Sequence, residues 1–202
     1  MRGLFAATSV CTLLAATPVW AQNTTAGSQT LSQQDKTFVH EAGAGNLAEA
    51  ELGQLAEQKA TRPAIKEFGR WMATDHGLIA NKWLAAILRE EHESFQPSLT
   101  AEQRQLKQKL QGLSGTEFDQ QYVEHMVQGH EKTTPVFEKE AKEGRNPAIK
   151  SYAENLTPVL EQHLIEVKEL AGNGGVAARE GANAAQRSGS SLPQRWAIRA
   201  LV

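Results

Sequence analysis

Cysteine is all but missing from this chain: 202 residues hold one, Cys11. It falls inside an N-terminal apolar run, too early and behind the wrong neighbours (Thr8-Ser9-Val10) for a lipoprotein cleavage box. With no second cysteine an intrachain disulfide is excluded, and removal of that run leaves no thiolate chemistry either. An excess of one charge sign is also lacking. The formal net charge is −2 and the Lys and Arg residues are scattered, so the basic footprint of a nucleic-acid binder is absent. Aromatics are only 6% and Gly/Pro clusters are few through the centre, which argues away from an all-β fold. What is present is 40% apolar and 22% charged residues, the make-up of one globular domain with a sizeable core.

The ends differ in kind from the middle. Arg2 supplies a short positive region, Leu4 to Ala16 is apolar or small, and Val19-Trp20-Ala21 resembles a cleavage site before Gln22. Residues 1–21 therefore read as a signal peptide. The run is too short to span a bilayer comfortably, so the mature chain is expected to carry no transmembrane segment and to reside in the periplasm or cell envelope. Residues 22–31 read as a flexible leader, 32–171 as the folded domain, and 172–202, rich in Gly, Ala, Ser, Asn and Arg, as a disordered tail.

Within the domain the apolar spacing is helical. Ser32 with Asp35 marks an N-cap, and the first helix extends to about Ala60. Arg62-Pro63 ends it and starts a second helix, with Ile65, Phe68, Met72, Ile79, Trp83 and Ile87 on one face. A linker over residues 90–98 leads to a short polar helix capped by Thr100. A third long helix carries Phe118, Tyr122, Met126, Thr133, Phe137 and Ala141; a fourth starts at Pro147 and carries Ile149, Tyr152, Leu156, Leu160, Val167 and Leu170. Pro63-Ala64-Ile65-Lys66 recurs as Pro147-Ala148-Ile149-Lys150, and the same offset of 84 pairs Phe38-Val39 with Tyr122-Val123, Gly45 with Gly129 and Phe68 with Tyr152. These matches predict an all-α, ferritin-like four-helix bundle built from two duplicated hairpins, with a short extra helix in the connection.

Polar residues on apolar faces are the functional signal, because burying them unpaired costs several kcal/mol. His76, His130 and His163 each fall on the stripe of a different helix, and Glu49 lies on the Phe38-Ala42-Gly45-Glu49-Leu52-Ala56 stripe of the first; Glu41 is more marginal. His76 is 13 residues past Pro63, His163 is 16 past Pro147 and His130 is 17 before Pro147. At about 1.5 Å per residue all three come roughly 20–25 Å from a hairpin turn, near mid-helix. They therefore approach one level. The di-iron pattern, Glu-x-x-His on two helices, is missing: the residues three before each histidine are Thr37, Ala73, Arg89, Tyr122, Val127 and Leu160.

Gly45-Asn46-Leu47-Ala48-Glu49-Ala50-Glu51-Leu52-Gly53, Met72-Ala73-Thr74-Asp75-His76, and Leu113 to Asp119 with Tyr122 together resemble the exported bacterial family catalogued as domain of unknown function 4142. The resemblance covers about Asp35 to Leu170. It implies export and a ferritin-like bundle, and the family's recurring polar positions fall on Glu49, Asp75, His76, His130 and His163. One departure is Gly129 before His130, where the family often has Asp.

Two readings stand side by side. One is a metal site of Glu49, His76, His130 and His163, with Asp75 orienting His76, for zinc, copper, iron or nickel. The other is a non-catalytic envelope or stress-related interaction module, whose buried polar layer only fixes packing and whose contacts are made by surfaces such as Glu102 to Lys109. No nucleophile–base pair can be nominated, which leans against an enzyme, and no protein partner is named by the residues. Fusing residues 1–30 to a reporter active only outside the cytoplasm should give activity, with Gln22 as the mature N-terminus. An intact mass that retains Met1 to Ala21 would count against cleavage.

Overall fold

The structure, a computed structural model, describes residues 31–180, with side chains described to residue 172. The expected signal peptide, nearly all of the leader and most of the expected tail lie outside the described residues. Those described form five helices and no strand. They are α1 (Gln33–Lys59), a long second helix made of α2 (Pro63–Met72), a π-helical segment (Ala73–Ala80) and α3 (Asn81–Glu90), then α4 (Ala101–Gly112), α5 (Gly115–Glu143) and α6 (Pro147–Glu180). α5 packs along α6 and α1 along the second helix, and the two pairs close on each other as a helical bundle. No described helix is long and apolar enough to cross a membrane.

The starts follow from local chemistry. Ser32 accepts from the Asp35 amide at 3.1 Å while Asp35 accepts from the Ser32 amide at 2.8 Å, and Thr100 with Gln103 repeats this capping box on α4. Pro63 and Pro147 open their helices where no amide donor is needed. Leu31, placed in the flexible leader by the sequence, is buried in the core instead, one residue before the Ser32 cap. α6 likewise runs on to Glu180, past the end expected at residue 171.

Each hairpin turn is held by an aspartate of the other hairpin. Asp119 on α5 accepts from the amides of Thr61 (2.9 Å) and Arg62 (3.1 Å) and from the Thr61 hydroxyl. Asp35 on α1 accepts from the amides of Arg145 (2.9 Å) and Asn146 (3.3 Å). Burial alone would raise the Asp35 pKa, but its bonds from Ser32 and Arg145 prevail and leave it lowered.

The second helix departs from the expected face. Ile65, Phe68, Met72 and Ile87 are buried as anticipated, but from the end of the π-helical segment onward Ala80, Leu84 and Leu88 are buried too, while Ile79 and Trp83 are only half-buried. An i→i+5 turn is wider than an α turn, so the inward face advances by about one residue. The spacing along the chain carries no mark of this.

α1 and α2 cross at two glycines. A Cβ on Gly69 would stand 2.7 Å from the Gly53 carbonyl and 2.8 Å from Ala56 Cβ, and one on Gly53 would stand 2.4 Å from the Gly69 carbonyl. Those neighbours are backbone or core and cannot yield without parting the helices. Gly69→Ala should therefore destabilise by about 1–3 kcal/mol in urea melts. Gly112→Ala, with nothing within 4 Å of its Cβ, should be neutral or slightly stabilising.

Candidate metal centre

The hydrophobic core comes in two clusters. One gathers Phe38, Leu84, Phe137, Tyr152 and Leu156; the other gathers Leu52, Phe68, Met72, Tyr122 and Val167. Between them lies a polar layer. His76 reaches it from the π-helical segment, His130 from α5 and His163 from α6, each 5% exposed or less. Their ring centroids form a triangle with sides of 5.4, 5.5 and 5.8 Å.

Every imidazole is bonded on one nitrogen and bare on the other. His76 Nδ1 donates to Asn46 Oδ1 at 2.9 Å, and Asn46 Nδ2 donates in turn to the Tyr152 hydroxyl at 2.8 Å. His130 Nδ1 donates to the Met126 carbonyl at 2.9 Å. His163 Nε2 donates to Asp75 Oδ2 at 3.0 Å. A carbonyl or carboxylate can only accept, so each bonded nitrogen carries the hydrogen and the opposite one carries a lone pair. The opposite nitrogens, His76 Nε2, His130 Nε2 and His163 Nδ1, are buried and have no partner.

One ring nitrogen from each histidine lies within 4.8 Å of the other two. An equilateral triangle of that edge puts its corners about 2.8 Å from the centre, against the ~2.0–2.1 Å of a zinc–imidazole bond. A contraction of under 1 Å per nitrogen closes the site, within reach of small rotamer shifts. Burial, then the neighbouring His163 and His130, holds the His76 pKa well below its ordinary value. Burial, then His163, brings His130 down to about 4. At neutral pH both rings are uncharged, which is the form a metal needs.

The four carboxylate and imidazole positions singled out by the sequence do not all converge. The three histidines do. Glu49 shares a cavity wall with His76 and His130 but stands outside the cluster of mutually close ligand atoms. Its Oε2 is buried without a partner, and burial raises its pKa to about 8. Burial, with Glu49 nearby, also holds the Tyr122 pKa well above its usual value. Asp75 was expected to orient His76 and instead grips His163, because in the wide π turn it points across to α6. The residue that does orient His76 is Asn46, which the sequence reading passed over. Its signal was the offset of 84, which pairs Asn46 with His130.

Residues 21–170 match the family model described as Domain of unknown function (DUF4142). The chain belongs to that family. No curated protein and no solved structure matches it. In this DUF4142 chain Gly129 stands before His130, whose Nδ1 is held by the backbone carbonyl of Met126.

Titration separates the members of the layer. Glu49 keeps in the folded state a proton that its unfolded form, near 4.5, releases; the stability it contributes is complete below that value and is lost as pH rises to about 8. His76 and His130 work the other way. Their contribution is complete above 6.5 and fades as pH falls below it, for His130 toward about 4. Between pH 6.5 and 8 the metal-free protein should lose about 1–2 kcal/mol through Glu49, and Glu49→Gln should remove that slope in urea melts.

Proposed function

We propose that this DUF4142 chain is an exported, periplasmic or envelope-resident, ferritin-like bundle that binds one transition-metal ion at His76, His130 and His163. The duplicated-hairpin origin is supported by the reciprocal caps: Asp35 and Asp119, Thr61 and Arg145, Arg62 and Asn146 all stand 84 residues apart. The observation that carries the metal reading is three buried imidazoles with ring nitrogens within 4.8 Å of one another, each ring bonded to an acceptor through one nitrogen and bare on the other. That is the support metal-bound histidines ordinarily have.

A layer kept only for packing has no use for those nitrogens. Each buried lone pair left without a donor costs on the order of 1–3 kcal/mol, so a purely structural layer would be better served by apolar rings. The bonds of His76 to Asn46 and of His163 to Asp75 do tie helices together, and the interaction-module reading rests on them. The donor set suits zinc, copper, iron or nickel, and Glu49 across the cavity is the candidate fourth ligand. With no Glu-x-x-His pair, a single ion fits this layer better than a di-iron pair.

A metal-titrated melting series decides between the two. Binding should raise stability by about 2.7 kcal/mol at one hundred times the dissociation constant, and His76→Gln, His130→Gln or His163→Gln should each abolish most of that gain. No shift with any of the four metals would sink the metal reading and leave the interaction module.

A further inference from the structure

The histidine layer is sealed by apolar clusters above and below, so an ion must enter from the side. Between α1 and α5 there is a cavity of about 30 Å³, room for two or three water molecules at about 10–15 Å³ each. Its floor is His76 and His130, both buried with Nε2 bare. Its wall is Gly45, Glu49 and Gly129, all half-buried, and its lip is the exposed Glu41. Glu41, Gly45 and Glu49 follow one another at four-residue steps and so lie along one face of α1.

Two missing side chains leave this passage open. A Cβ on Gly45 would meet nothing within 4 Å, and one on Gly129 would meet only Glu49 Oε1 at 3.3 Å. Neither glycine is demanded by helix packing, unlike Gly53 and Gly69. On the far side, between the π-helical segment and α6, the cavity is about 10 Å³, lined by Leu156, Val159 and Leu160, and Asp75 there is already bonded to His163. Glu41 and Glu49, whose Oε2 has no partner, stand on the α1–α5 side, whereas the one carboxylate lining the other cavity, Asp75, is already engaged, and this favours a cation on the first route.

We propose that the gap between Gly45 and Gly129 is the entry path of the metal cation, which Glu41 attracts at the mouth and Glu49, releasing its proton to water as the ion arrives, passes to His76 and His130. This rests on the metal reading. The test is stopped-flow cobalt(II) uptake by the full-length, metal-free mature protein, followed by the visible absorption of histidine-bound cobalt, with equilibrium titration in parallel. Gly45→Leu should slow uptake and release alike by roughly tenfold while the dissociation constant stays within about twofold, because a plugged path changes the barrier and not the end states. Glu41→Gln should slow uptake by about two- to threefold and flatten its dependence on ionic strength. Cobalt bound by Gly45→Leu at the wild-type rate would overturn the path and leave the metal site standing. A wild type with no cobalt spectrum would overturn both. Should Gly45→Leu fail to fold by circular dichroism, Gly129→Ala narrows the same gap from the facing helix, and an unchanged uptake rate there overturns the path.

Discussion

Three imidazoles buried at mid-bundle are the constraint on which the rest of this structure depends. Each must find an acceptor for its ring N–H without water, and the three acceptors are of three kinds: an amide on α1, a carbonyl one turn back on α5, and a carboxylate on the π-helical segment. Meeting these needs sets how the helices face one another. It divides the apolar core into two clusters, leaves Asn46 wedged between His76 and Tyr152, and makes Asp75 cross to α6 rather than serve its own neighbour. The π-helical segment belongs to the same solution, since it carries both His76, bonded to α1, and Asp75, bonded to α6.

The frame around this layer is built to hold level and distance. Asp35 and Asp119 bind each hairpin turn to the opposite hairpin, so the two pairs cannot slide along their long axis without breaking amide bonds to a carboxylate. Gly53 and Gly69 let α1 and α2 approach to backbone contact, which brings Asn46 within reach of His76. Short-range order of this kind matters because a metal site tolerates errors of only a few tenths of an ångström. The same frame leaves one weak seam, between α1 and α5, where glycines replace side chains beside the histidines.

Much of the architecture was legible in the residues. Proline at the first turn, Ser32 and Thr100 as caps, and the three- and four-residue apolar steps locate every long helix, because those signals act over a few residues and need no partner. The depth of His76, His130 and His163 could be counted from the prolines, since the rise per residue of a helix is constant. Asn46 was harder. Nothing local distinguishes it from an exposed asparagine, and its role exists only because Tyr152 and His76 arrive from other helices. The buried set Ala80, Leu84 and Leu88 was misplaced by one position for a related reason: a π turn is stabilised by what it packs against and leaves no sign in apolar spacing.

The chain by itself determined that there would be helices, where they begin, and that three histidines would meet at one depth, all consequences of local propensity and constant helical rise. Only the tertiary structure decided which nitrogen of each ring is held and which is bare. That depends on acceptors contributed from 4 to 88 residues away in sequence. Hydrogen bonds of this kind are settled by angles and distances between elements, to which no spacing along one helix is sensitive. The bare nitrogens, and with them the case for a metal, exist only in the folded arrangement.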